Sequence, residues 1–189
     1  MASEKMLVGR HKRVAFMDAD GSGKTFTRMT GFTSLSDGKN STEYSRQYVD
    51  EASERSDVVG YAPAIDYEFD RYTNDPVHEK IAAITDDEIL GTEAQVDSNK
   101  TTNAMIITDE ILGTEAQVDI VVVDLFEQKT SETTCTARKR TWSVIPDTEG
   151  DGTDALIYKG SFKAAGEITK GTATTTDGWG TCTFTAGGE

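Results

Sequence analysis

Between residues 64 and 72 the chain alternates apolar and polar positions without a break. Ile65, Tyr67 and Phe69 fall on one parity, and Asp66, Glu68 and Asp70 on the other. This is the period of a β-strand with one apolar face and one carboxylate face. The pattern changes at Asp75 and Pro76, an N-cap residue followed by a proline suited to the first helical position. Val77, Ile81 and Ile84 then recur at helical spacing, which predicts a short helix over about residues 76–84.

Period-two segments recur on both sides of this strand–turn–helix module. Residues 13–17 (RVAFM) and 25–29 (TFTRM) read as two strands joined through DADGSGK, a tight turn. Residues 31–40 read as a loop with Asp37-Gly38 as its turn signal. In residues 43–52, Tyr44, Tyr48 and Ala52 suit a helix by spacing, while Tyr44 and Tyr48 also share a strand parity. The aromatic content favours a strand, making residues 43–72 a long hairpin with an exposed tip.

The run IVVVDLF at 120–126 is apolar on both parities and predicts a central strand covered on both faces. Residues 133–145 form a further strand, which carries the basic cluster Arg138, Lys139 and Arg140. Residues 146–154 read as an acidic loop, and the last third as two or three strands broken at glycines. The sum is roughly eight to ten strands and one helix, a β-dominated α+β fold. It forms one domain over residues 13–189, preceded by a flexible arm at 1–12.

One feature lies outside this scheme. DEILGTEAQVD at 87–97 recurs identically at 109–119, 22 residues later. Two copies are too few for a solenoid, so the block reads as a tandem duplication. The second copy runs into the apolar strand and the first into polar SNKTTN. Excising residues 98–119 would join Asp97 to Ile120, and these residues are expected to be a peripheral insertion.

The 189 residues carry a net charge of −14, and only 36% are apolar. So acidic a chain is not expected to bind nucleic acid or anionic membrane through bulk charge. No apolar run approaches the 18 or so residues of a membrane-spanning helix, and the first residues lack the apolar segment of a signal peptide. Cys135 and Cys182 could pair, although two buried thiols suit a protein made in the cytoplasm better.

Catalytic and ligand-binding signals do not assemble into a site. GSGKT at 21–25 follows a strand, but Asp18 stands where a P-loop needs its first glycine, and no apolar helix follows. DADGSG matches the first half of an EF-hand loop, with Asp18, Asp20 and Ser22 at positions 1, 3 and 5 and Gly23 at 6. Position 12 is Met29 rather than glutamate, so the default is a turn. His78 reads as a helix-surface residue, and no His–Cys spacing suits zinc. Paired carboxylates discriminate nothing in so acidic a chain. No cofactor and no enzymatic activity are expected.

Three long runs nevertheless have a familiar character: residues 31–51 (GFTSLSDGKNSTEYSRQYVDE), 57–84 (DVVGYAPAIDYEFDRYTNDPVHEKIAAI) and 140–167 (RTWSVIPDTEGDGTDALIYKGSFKAAGE), closed by DGWGTCTFT at 177–185. The chain resembles the major tail (tail tube) proteins of long-tailed phages infecting Gram-positive bacteria over most of 13–97 and 120–186. The resemblance implies an antiparallel β-sandwich or barrel-like subunit with a flanking short helix. It implies self-assembly into hexameric rings stacked as a hollow tube in the virion, made in the host bacterial cytoplasm. Tape measure, tail terminator and distal tail or baseplate proteins are the implied partners, and DNA passes the lumen without specific binding. On this reading Asp66, Glu68 and Asp70 are candidates to face the lumen, where an acidic wall would not hold a polyanion. Arg138, Lys139 and Arg140 are candidates for charge pairs between subunits. The rival reading is a monomeric β-sandwich module that binds carbohydrate or a surface protein.

Overall fold

A computed structural model describes residues 7–50, 52–89, 116–131, 133–150 and 154–187, with the backbone alone at 128–131. Its elements are β1 (Arg13–Met17), β2 (Phe26–Arg28), β3 (Phe32–Gly38), β4 (Ser41–Arg46), β5 (Arg55–Tyr61), β6 (Ala64–Asp70), α1 (Pro76–Asp86), β7 (Gln117–Ser131), β8 (Thr134–Gly150), β9 (Ile157–Ala164), β10 (Thr169–Thr174) and β11 (Thr181–Ala186). A 3₁₀ turn at Arg10–Lys12 precedes β1, so the end of the expected arm is structured against the first strand. The fold is β-dominated, with one α-helix among the described residues.

Nine strands form one antiparallel sheet in the order β10-β11-β2-β1-β7-β8-β9-β6-β3, and β10 also pairs with β8. That last pairing closes β8, β10, β11, β2, β1 and β7 into a six-stranded barrel. The second half of β8 leaves the barrel to pair with β9, and β6 and β3 extend the sheet from there. Among the described residues, β4 and β5 pair only with each other.

Two cores follow from the alternation of strand side chains. Inside the barrel lie Phe16, Phe26, Val121, Val123, Cys135 and Cys182, among others. On the other face of β7, Val118 and Ile120 join Trp142, Val144, Phe162 and the helix residues Ile81 and Ile84. β7 is therefore covered on both faces, as an apolar run on both parities predicts. Both cysteines are free and buried, and burial pushes the Cys182 thiol up to about 12.

α1 begins as the sequence predicts. Asp75 caps it by accepting from the backbone N–H groups of Val77 (2.9 Å) and His78 (3.3 Å). The Glu79 carboxylate accepts from the N–H of Asn74, completing a box of local bonds that stops fraying. The apolar side of α1 lies over Tyr67 and Phe69 of β6.

His78 departs from expectation. It is fully buried, stacked on Phe69 with ring centroids 4.3 Å apart. Its Nδ1 accepts from the N–H of Tyr72 (3.1 Å), and its Nε2 lies 2.9 Å from the carbonyl oxygen of Thr30. Both ring nitrogens are thereby satisfied, with Nε2–H the donor to Thr30 and the ring neutral. Beside it Gly31 adopts φ +72, and a Cβ there would sit 3.0 Å from the imidazole. A glycine is needed at that turn on both counts.

Two segments expected to be loops are strands. β3 occupies residues 32–38, and β8 continues through Pro146 to Gly150 with a bulge between Pro146 and Thr148. A bulge is where a strand tolerates proline. The expected 43–72 hairpin is narrower: β4 and β5 span residues 41–61, while β6 belongs to the main sheet. The GSGKT turn leads into β2, which is a strand and not the helix a P-loop requires.

The duplicated block is used in two places. Residues 98–115 of the expected insertion lie outside the described residues, but 116–119 do not belong to the periphery. Ala116 and Val118 are core residues, and residues 117–119 open β7. At the other end, Ile89 of the first copy packs on the same core, and its N–H donates to the Ile84 carbonyl. The fold thus takes the front of copy one and the rear of copy two. Because the copies are identical, deleting residues 98–119 gives the same product as deleting 87–108. That product keeps DEI, then LGTE, then AQVD leading into Ile120. We expect it to be soluble and at least as stable as the full chain, by about 1–2 kcal/mol from the shorter loop. Thermal denaturation checks this; insoluble or molten product would show that the two copies are not interchangeable.

Candidate assembly interface

The ribbon of β4 and β5 is the most exposed structured part of the chain. Tyr44, Tyr48, Val49, Val58, Val59 and Tyr61 are all exposed, Tyr61 at 66% and Val49 fully. They account for six of the thirteen large exposed hydrophobics among the described residues. A solitary two-stranded ribbon is at best marginally stable in water, and scattered apolar exposure is ordinary where clustered exposure is not. The base is held by Asn40, whose side chain and carbonyl both bond the backbone of Ala62 at 3.1 Å. Ser45 and Ser56 pair across it at 2.7 Å. Arg46 and Arg55 lie over the Tyr48 ring, and the other five side chains stay at least half exposed.

A second feature is the free edge of β3. Its only partner strand among the described residues is β6; apart from the Leu35 carbonyl, which accepts from Arg10 (3.5 Å), this edge is a candidate for strand addition.

β6 divides by parity as the sequence predicts. Ile65, Tyr67 and Phe69 are buried. Asp66 is exposed, and Glu68 and Asp70 are half-buried on the opposite face. Their cross-strand neighbours are Ser36 and Ser34 of β3 and Ser161, Lys159 and Ile157 of β9. Lys159 lies 3.6 Å from the Glu68 carboxylate. The strip is polar and acidic, with one cation across it.

The basic cluster has partners within the subunit. Asp124 of β7 is fully buried, and Arg13 (2.5 Å) and Arg138 (2.7 Å) each donate to one of its oxygens. Lys139 donates to Asp119 (2.9 Å), whose other oxygen accepts from Thr141. Arg138 and Lys139 thus each hold a carboxylate inside the subunit, with side chains still 40% and 29% exposed. Arg140 stands apart: its guanidinium lies over the Trp142 ring, and its buried Nε has no hydrogen-bond partner.

Asp124 carries a pH signature. Burial pushes its carboxyl up, but the hydrogen bonds and charge of Arg13 and Arg138 outweigh that and hold it below the usual carboxylate range. A depressed folded value means the pair's stability is present above about pH 3.9 and is lost as pH falls through the lower folded value. Arg138→Ala leaves the buried carboxylate with one partner and is expected to cost about 1–3 kcal/mol at neutral pH. It should also move the onset of acid unfolding to higher pH. Melting curves between pH 2 and 7 check both, and an unmoved acid limb would show that Arg138 is not a determinant of this carboxyl.

Another network was not legible in the sequence. Tyr158 donates to Asp86 at the end of α1 (2.9 Å), and Arg71 donates to the Tyr158 hydroxyl (2.8 Å) while its guanidinium lies over that ring. It ties β6, α1 and β9 together. Its members are separated by 15 and 72 residues or more, and no local pattern joins them.

No family model and no curated protein matches the chain. Among solved structures it is similar to a chain in the tail of an empty GTA particle determined with C6 symmetry. That match has a TM-score of 0.52 at 12% identity and covers 90% of this chain and 100% of the other. It is also similar to a chain in the six-fold symmetrised baseplate of the anti-feeding prophage (TM-score 0.47, 7% identity, 88% and 97% covered). A chain in the tube terminating cap of that prophage scores 0.43 at 10% identity, with 93% and 96% covered. The first of these shows a shared fold.

Proposed function

We propose that this protein is a structural tail tube subunit that assembles with copies of itself into stacked rings. The observation that carries the reading is the β4–β5 ribbon. It stands apart from the main sheet, is exposed along its length, and bears six large apolar side chains that a monomer leaves in water. The free β3 edge beside it supplies a second joint of the kind that closes sheets across subunits. The fold shared with a tail chain in a particle of C6 symmetry supports both the role and a ring of six. The role is structural rather than catalytic.

In this arrangement the protein resides in the virion or particle tail and is made in the bacterial cytoplasm. It meets the tape measure, tail terminator and distal tail or baseplate proteins at the tube's interior and ends. DNA crosses the lumen without being held, and Asp66, Glu68 and Asp70 provide a wall that neutralises no phosphates and so displaces none of the DNA's counterions. Replacing all three by lysine is expected to leave the subunit folded, because none lies in the core. Assembled particles should then eject DNA several-fold more slowly, with the defect relieved at high salt. Unchanged delivery would remove these residues from the lumen.

The assembly reading is tested by light scattering on purified protein over a concentration series. The expected result is a species of six times 20.5 kDa and multiples of it. A single 20.5 kDa species at millimolar concentration would favour a monomeric binding module instead.

A further inference from the structure

The charge of the chain limits where the β4–β5 ribbon can be received. At −14 overall, two copies repel each other unless the contact itself is locally complementary. One cleft, of about 300 Å³, is bordered by five cations: Arg13, Lys39, Arg138, Lys139 and Arg140. Val122, Trp142 and Ile168 give it an apolar side, and Asp37 also borders it.

Four of these cations are engaged within the subunit. Arg13 and Arg138 share the carboxylate of Asp124, Lys139 holds Asp119, and Lys39 holds Asp37. Five cations thus stand over three carboxylates. Arg140 has no ion-pair partner among the described residues. Its Cζ lies 5.6 Å from the centre of the Trp142 ring, and its Nε is buried without an acceptor. A guanidinium stacked and partly desolvated in this way is a strong site for an arriving carboxylate.

The ribbon offers the matching group. In the β4–β5 register Glu43 lies opposite Val58, Ser41 opposite Tyr61 and Ser45 opposite Ser56. Cross-strand pairs share a face, so this face joins one carboxylate to two exposed apolar side chains and carries no cation. The other face has Tyr44 opposite Asp57 and ends at Arg46 and Arg55. Glu43 is exposed and, like Arg140, has no ion-pair partner among the described residues.

We propose that the Glu43 face of one copy's ribbon seats in the basic cleft of a neighbouring copy, with Glu43 paired to Arg140 and Val58 against the apolar side. This rests on the ring-assembly reading and names the surface that receives the ribbon. The giving and receiving surfaces differ, so the contact is heterologous and runs head to tail, as a closing ring requires. The rival occupant is the ribbon of the same subunit, whose base residue Tyr61 borders a neighbouring hollow together with Arg140.

Light scattering on the full chain separates these cases, using the parent, Arg140→Glu, Glu43→Lys and a 1:1 mixture of the two variants. Each variant alone should need at least about thirtyfold more protein than the parent to assemble. The mixture should assemble within about threefold of the parent's concentration, because each variant's ribbon then meets the opposite charge in the other's cleft. A pair formed within one subunit would not be restored by mixing. Glu43→Lys lies at an exposed position, so its loss of assembly decides the matter if circular dichroism shows Arg140→Glu to be unfolded. Parental assembly by Glu43→Lys, or a mixture of folded variants that stays apart, overturns the pairing and leaves ring assembly standing. A parent that stays monomeric overturns both.

Discussion

A variant with serine at Tyr44, Val58, Val59 and Tyr61 is expected to fold normally and to form no rings or tubes. None of the four contributes to either core, so the melting temperature of the monomer should stay within about 2 °C of the parent, as for surface substitutions generally. Each side chain, fully buried at an interface, would contribute about 1.5–3 kcal/mol. Losing four of them removes enough association free energy to weaken each contact by several powers of ten. Sedimentation velocity with circular dichroism on the same samples separates the two effects. Assembly at parental concentration would move the joint from the ribbon to the β3 edge.

Phe69→Ala should have the largest effect on folding. Phe69 is wholly buried and sits at the centre of an aromatic group, 4.3 Å from His78, 5.0 Å from Phe32 and 5.5 Å from Tyr158 by ring centroids. Truncation leaves a cavity bounded by β3, β6, β9 and α1, elements whose mutual packing relaxes little. The expected cost is about 3–5 kcal/mol, equivalent to a fall on the order of 10 °C in melting temperature. Chemical denaturation of monomeric protein measures it. A cost under about 1 kcal/mol would mean that the helix does not depend on this strand for its seat.

The β6–α1 module was legible because two independent local codes agree there: period two with a carboxylate parity, then Asp75-Pro76 before helical spacing. β7 was legible for a related reason, since apolar residues on both parities of 120–123 leave no face for solvent. β3 was not. Phe32 and Leu35 are its only apolar side chains, and they are three residues apart, off the strand period. What makes it a strand is the β6 ladder, a partner about thirty residues away. Pro146 and Asp147 carry honest loop signals, yet β9 holds that stretch in the sheet by bulging it.

His78 failed as a surface residue because its two partners, Thr30 and Tyr72, come from separate loops that only the fold brings to it. The internal partners of the basic cluster were hidden for the same reason. Asp119 and Asp124 pair with it only through the β7–β8 register, which a reading along the chain does not reveal. The exposed tip of the hairpin was legible, but the exposure of the ribbon's strands was not, since Tyr44 and Val58 are residue types that strands ordinarily bury.

The repeat shows the reverse situation, where the sequence is plain and its use is not. Ile120 must follow Asp119, so the second copy has to open β7. Asp87 must follow Asp86, so the first copy has to close α1. Covalent order, rather than any difference in the residues, decides which half of each copy reaches the core.

Electron microscopy of the purified full-length chain at high concentration tests the central claim most directly. The account predicts rings of six subunits that stack into hollow tubes, with the β4–β5 ribbon of each subunit lying against a neighbouring copy. A field of isolated monomers, or an assembly in which that ribbon remains in solvent, would contradict it.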